Sequence, residues 1–465
     1  MLLISIPVLS PATMGGLAMG FLLGYSSPAG PLLLDNSTDD QHKSLQLSHE
    51  EYSWFSSSVN LGAAAGGVLG GVMISTLGRR FTMMISVIPY LGGWALIGGG
   101  QNFFMLMTGR VLTGVCMGVT CIAVPTYIGE FASADIRGTL GSGFQVMVTV
   151  GILLAYIVGA VLVSWRWLAA VSAAPTLVYL LMMYFTKESP TFLLSKGKDE
   201  EANDSLRYFR GAHYNIQLEM STIKRTLDDA KRSKASFRDI LKPFNMKPLL
   251  ICLSILFFAQ CSGVTAVLFN MAIVFKDSGS KMSEAGSSVI IAGVQVVATV
   301  LGAGLMDKVG RRILLVLAAA FMSFSNVSLG VFFYMKEKDS AWALESLGWL
   351  PLTSLIVFIT AYSVGFGPTV WVLIGELFSP AVKEASASLV TLVNWTTSFL
   401  VTLTFLPLQM ALGDYSAFWL FGGMCLVALV FTLLVVPETK GKTLQEITAH
   451  FGGLAVADTR SDHTQ

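Results

Sequence analysis

Apolar runs of about 20 residues, long enough to cross the hydrocarbon of a bilayer as a helix, recur along nearly the whole chain between short polar breaks. Twelve spans are predicted, at 5–28, 53–75, 81–101, 104–126, 139–162, 165–186, 249–275, 285–306, 313–335, 349–377, 386–411 and 415–436. Small residues run through them, as in the Gly62, Gly66, Gly67, Gly70, Gly71 series of the second span, where a missing side chain lets helices approach closely in lipid. The pattern predicts an all-α membrane protein, and an even number of spans puts both ends on one side.

Residues 187–248 break the pattern, with 13 of the 30 Lys and Arg and nine acids. They divide the chain into a six-helix half at 1–186, a linker, a second half at 249–436 and a tail at 437–465. Within the linker, Ala202, Leu206 and Phe209 fall at helical spacing. Acids lead that stretch and Gly211 closes it, as a surface helix with a complemented dipole requires.

Composition sharpens this picture. Only 13% of residues are charged, against about 25% in soluble domains, which excludes a water-soluble enzyme of this size. A net charge of +1 offers no field for nucleic acid. The cations are unevenly placed: 23 of 30 fall in loops on the side of the two termini, so the positive-inside rule predicts that both termini are cytosolic. The opening stretch, Met1 to Gly16, has no Lys or Arg and reads as running almost directly into the first span, without a removable signal peptide.

The two halves repeat. Leu77-Gly-Arg-Arg80 recurs 232 residues later as Val309-Gly-Arg-Arg312, and Ile128-Gly-Glu130 recurs 246 later as Ile374-Gly-Glu376. Lys187-Glu-Ser-Pro190 is echoed by Pro437-Glu-Thr-Lys440, with Glu188 and Glu438 250 apart. Parallel six-span repeats predict a substrate site near the midplane, between halves that rock against each other.

These motifs, with Pro125 to Glu130 followed by Arg137-Gly138, Gln260-Cys-Ser-Gly263, Gly365 to Trp371, Asn394-Trp395 and Pro437 to Gly441, resemble the sugar porters of the major facilitator superfamily over nearly the whole chain. Gly24 to Ala29, the glycine series of span two and Glu438 to Phe451 most resemble class III facilitative hexose transporters of the eighth-member type, with insect trehalose transporters as near relatives. The resemblance implies the twelve-helix major facilitator fold and a cytosolic gate of Arg79, Arg80, Glu130, Arg137, Glu188, Arg311, Arg312, Glu376 and Glu438, whose ion pairs close that side and break when it opens. Arginine suits such bidentate carboxylate pairing. Ser75 and Thr76 stand where the family carries an acid and a base, whereas Asp307 and Lys308 keep them, and Thr191 replaces an arginine. A looser gate in the first half is expected.

A sugar presents hydroxyls and apolar ring faces, which amides and aromatic rings recognise. Gln145, Gln260, Gln295 and Asn394 align with sugar-contacting positions of the family, and Trp371 and Trp395 with its aromatic ones. Ala259 and Thr265 depart from the family's Gln and Asn, which puts the choice of sugar in question; Asn270 is a candidate substitute amide. Proton-coupled relatives carry an Asp in span one beside the arginine of span four. Here Arg110 remains, but no acid occurs from Met1 to Leu34, and a proton carrier needs a titratable group.

The expected function is facilitative transport of a hexose such as glucose by alternating access. The alternatives are a sugar sensor on a transporter scaffold and a transporter of a disaccharide or other polar metabolite. No enzymatic activity, cofactor or metal is expected: the five His lie in loops or the tail, and the five Cys lie within spans as apolar packing. Asn36-Ser-Thr38 is a glycosylation acceptor pattern on the non-cytosolic side. The expected setting is the lipid bilayer of the plasma membrane or of endosomes or lysosomes, with a small-molecule sugar as partner.

Overall fold

A computed structural model describes residues 10–34, 45–162, 164–211, 214–232, 243–279, 282–378, 380–440, and residues 442, 446 and 451. The first half contains α1 (Met14–Leu34), α2 (His49–Leu77), α3 (Arg79–Gly98), α4 (Phe103–Phe131), α5 (Ala134–Val161) and α6 (Trp165–Tyr184). The linker forms α7 (Pro190–Ser195), α8 (Asp199–Arg210) and α9 (Ile216–Arg232). The second half follows as α10 (Pro243–Cys261), α11 (Val264–Phe269), α12 (Met271–Ser278), α13 (Glu284–Val309), α14 (Arg311–Lys338), α15 (Ser340–Leu347), α16 (Leu350–Val364), α17 (Phe366–Leu377), α18 (Pro380–Leu412) and α19 (Asp414–Val435). Twelve stretches are long and apolar enough to cross a membrane.

Three spans differ from their predicted form. The first starts at Met14 and continues past Pro28 and Pro31 to Leu34, because the preceding residues 11–13 form a turn closed by the Ser10 carbonyl and the Thr13 amide. The seventh begins at Pro243 and is broken twice, giving α10, α11 and α12. The tenth is broken at Gly365, where a Cβ would lie 2.3 Å from that of Ala318. Hydropathy does not register such breaks, since the apolar run continues through them.

Glycine sets the closest approaches. A Cβ on Gly66 would lie 2.0 Å from the Val115 carbonyl oxygen, so α2 and α4 pack backbone to backbone. That is the small-residue packing read from span two.

The halves meet along α2 against α18 and α5 against α13. The hydrogen bonds that join them run from the middle of the spans toward the cation-poor face. Asn60 donates to Thr402, Tyr52 to the Phe269 carbonyl, Tyr156 to the Leu268 carbonyl, and the Ala272 amide to Ser27. The breaks around Asn270 leave helix-end carbonyls in want of donors, and the tyrosines supply them. On the cation-rich face, ion pairs among the described residues stay within one half or within the linker.

The linker helix α8 forms as expected, with Ala202 and Leu206 buried and Gly211 at φ 87° after its last turn. Phe209 stacks on Phe131 at 4.8 Å, while Arg210 pairs with Glu219 at 2.7 Å and donates to the Phe131 carbonyl. The linker is thereby fixed to the end of α4.

Candidate functional site

At the cation-rich face the two halves build the same structure twice. Glu188 accepts the backbone amides of Arg79 and Arg80, each at 3.0 Å, so a carboxylate from the end of span six caps the N-terminus of α3. Glu438 accepts the amides of Arg311 and Arg312 at 3.1 and 3.2 Å and caps α14. A helix N-terminus, with its unpaired N–H groups and positive dipole end, favours this. Gly78 (φ 97°) and Gly310 (φ 107°) make room: a Cβ there would lie 2.6 and 2.7 Å from the respective carboxylate.

The guanidinium groups divide the work. Arg79 pairs with Glu130 at 2.7 Å and Arg311 with Glu376 at 2.9 Å. Ser189 and Thr439 donate to the second oxygen of the same two glutamates. Arg80 and Arg312 do not reach the glutamates. They bond the last carbonyls of the neighbouring spans, at Met183 and Tyr184 and at Leu433, where a helix C-terminus attracts a cation. Arg137 lies in α5, and its side chain is outside the described residues, as is Asn36.

Both ion pairs are formed although the bonds between halves gather toward the opposite face, and neither pair crosses from one half to the other. A rigid rotation of one half against the other leaves such pairs intact. Ser189 and Thr439 were missed in the sequence, where the signal was present: each follows the repeated glutamate.

Ser75 and Thr76 turn back to the Val72 carbonyl and contribute nothing to this cluster. Ser75→Asp is expected to shift the balance of conformations toward closure of the cation-rich face, read as slower labelling of cysteines introduced there. Unchanged labelling and transport rates would sink the looser-gate reading.

The amides lie deeper. Gln260, near the end of α10, donates from Nε2 to Asn394 Oδ1 on α18 at 2.9 Å, and its Oε1 accepts from Thr265 Oγ1 at 2.8 Å. All three are buried. The departure at Thr265 therefore keeps a polar partner for Gln260. Asn270 does not join them; its Nδ2 bonds the Ala266 carbonyl and its buried Oδ1 has no partner. Gln295 on α13 is buried with Oε1 unpaired, and buried Trp395 has an unpaired indole N–H. Half-buried Gln145 lies on α5, which packs against α13 from the other half. Trp371 is 42% exposed on α17 and shares no bond with the Gln260 cluster.

Arg110 is completely buried in α4. It donates to the Phe55, Leu22 and Ser56 carbonyls and to Ser26 Oγ, over the rings of Phe55 at 5.1 Å and Tyr25 at 5.8 Å. Carbonyl dipoles and ring faces satisfy this cation, and no carboxylate pairs with it among the described residues.

A duplicated charged rim around a buried neutral amide cluster, on two six-span halves, defines a transporter-type membrane protein. The family described as "Sugar (and other) transporter" matches residues 8–451, and the chain belongs to it. It is 39% identical to the bovine (Bos taurus) solute carrier family 2 facilitated glucose transporter member 8, over 95% of this chain and 93% of that protein. It is 36% identical to the facilitated trehalose transporter Tret1 of Anopheles gambiae, over 94% of this chain and 54% of that protein. The chain thus spans about half the length of the Anopheles gambiae and Drosophila erecta trehalose transporters that it resembles. Among solved structures, the inward-open xylose transporter XylE of E. coli superposes with a TM-score of 0.79 at 25% identity, covering 96% of this chain and 99% of that one. A partially occluded inward-open form of the same transporter gives 0.77 at 26% identity, covering 95% and 99%.

Proposed function

We propose that this protein is a facilitative transporter that moves a hexose such as glucose down its gradient by alternating access, and that it is not an enzyme. The observation that carries this reading is the Gln260 amide cluster, buried where the second half breaks its seventh span and presenting uncharged hydrogen-bonding groups. Unpaired polar atoms on Gln295 and Trp395 are available to a polyhydroxylated ligand, for which each unmet group costs about 1–3 kcal/mol. Arg110 has no carboxylate partner among the described residues, which supports uniport, because proton coupling needs a group that alternates its charge.

The cation distribution supports cytosolic termini. On that orientation, bonds gathered toward the outer face correspond to an inward-facing conformation, as does the likeness to inward-open XylE. The plasma membrane and an endosomal or lysosomal membrane both fit this orientation.

Glucose counterflow in proteoliposomes tests the proposal. Vesicles preloaded with unlabelled glucose are expected to accumulate external label transiently. Binding without exchange would instead support a sensor. The trehalose transporters among the relatives favour a disaccharide as second reading, and exchange of trehalose but not glucose would establish it.

A further inference from the structure

Helices α3 and α6 leave a groove between their ends at the cation-poor face, with a volume of about 530 Å³, within the range of small-molecule sites. Leu91, Trp94 and Ala95 of α3 line it with Arg166, Ala170 and Ala173 of α6. Ala95 and Ala170 are exposed, and both lie within membrane spans, so the groove opens to the bilayer. Trp94 closes the inner wall: it is 2% exposed and stands edge-on to Tyr25 at 5.3 Å, while Tyr25 donates to the Trp165 carbonyl at 2.9 Å. That bond ties the start of α6 to the wall.

Among the lining residues one is charged. Arg166 lies over the Trp165 ring at 4.4 Å and gives one N–H to the Gly98 carbonyl at 3.2 Å. A guanidinium has several further N–H donors, and here they have no protein partner among the described residues. No Asp or Glu occurs in residues 79–129 or 136–187, so neither helix supplies a counter-ion. The indole N–H of Trp94 is likewise buried without a partner among the described residues. Both unmet groups are donors, so a fitting occupant brings acceptor oxygens together with hydrocarbon. Arg166 and the exposed Trp167 stand at the end of span six, the depth at which a bilayer places its headgroups and aromatic belts form.

We propose that this groove binds a phospholipid, with the headgroup phosphate on the Arg166 guanidinium and one acyl chain along Leu91, Ala95, Ala170 and Ala173. Paired guanidinium N–H groups match phosphate oxygens. A sterol brings no charge to Arg166, and a soluble phosphate leaves the apolar walls uncovered. Helices α3 and α6 pack on helices of the first half, whereas the halves meet along α2 with α18 and α5 with α13. The lipid therefore rides with the first half and supports its stability rather than its motion.

The test uses the full chain in a maltoside detergent, with binding of dioleoyl phosphatidylglycerol followed by native mass spectrometry and by melting temperature. One lipid is expected to bind more tightly than the rest and to raise the melting temperature. Arg166→Gln is expected to weaken that lipid about tenfold, the scale of one charge-assisted hydrogen bond. Ala170→Phe fills the groove, leaves the guanidinium in place and weakens the lipid at least as much. Val178→Phe, at an exposed position on the same helix outside the groove, leaves binding unchanged. Dioleoylglycerol, which lacks the phosphate, and glycerol phosphate, which lacks the chains, are each expected to bind more weakly by about tenfold or more. Binding of either fragment as tight as that of the whole lipid, or a tight lipid that survives in Arg166→Gln or in Ala170→Phe, would overturn the proposal. So would a loss in Val178→Phe as large as that in Ala170→Phe.

Discussion

Gln260→Ala is expected to lower glucose exchange at subsaturating concentration by about tenfold to a hundredfold. A hydroxyl left unpaired in a buried site costs about 1–3 kcal/mol, and each 1.4 kcal/mol is roughly a factor of ten. The variant also strips from the Asn394 oxygen and the Thr265 hydroxyl the only side-chain partners they have among the described residues, so the melting temperature falls with the transport rate. Gln145→Ala provides the contrast. Its amide has no protein partner among the described residues, so transport is expected to weaken with little change in stability. Equal loss of stability in the two variants, or full activity of Gln260→Ala with correctly inserted protein, would show that the cluster does not carry the substrate.

Gly263→Ala is expected to be the more damaging substitution for the fold. A side chain at φ 85° costs about 1–2 kcal/mol, and one added methyl in a packed interior costs about 1–3 kcal/mol more. Here the methyl meets an aromatic ring at 2.2 Å. Phe421 cannot retreat freely, since it stacks on Phe405 at 6.0 Å. The expected result is a marked drop in melting temperature and exchange near background. Adding Phe421→Ala should recover part of the stability by removing the clash, but not the part due to backbone conformation. A Gly263→Ala protein as stable as the native one would contradict the described break in span seven.

Much of this architecture is legible in the sequence because it follows from one variable, the length of apolar runs. The repeats added the pairing of Arg79 with Glu130 and Arg311 with Glu376, since duplicated charges at span ends invite duplicated partners. What the motifs could not assign was which atom does what. Two arginines side by side look equivalent in sequence, yet Arg79 faces a carboxylate while Arg80 faces helix-end carbonyls, a difference set by the 100° turn between successive helical residues. Glu188 and Glu438 were expected beside the guanidinium groups and instead cap backbone amides. The breaks at Gly263 and Gly365 are invisible to hydropathy because glycine within a span reads as ordinary close packing. Tyr52 and Tyr156 give no periodic signal, and their role depends on carbonyls more than a hundred residues away.

We propose that sugar moves through a path of neutral amides; Arg110 is satisfied by carbonyls, a hydroxyl and ring faces, with no acid paired to it among the described residues. The most direct test is net glucose uptake into proteoliposomes carrying an imposed proton gradient. Internal glucose is expected to rise to the external concentration and stop there, at the same level with or without the gradient. Accumulation above that level, abolished by a protonophore, would contradict it.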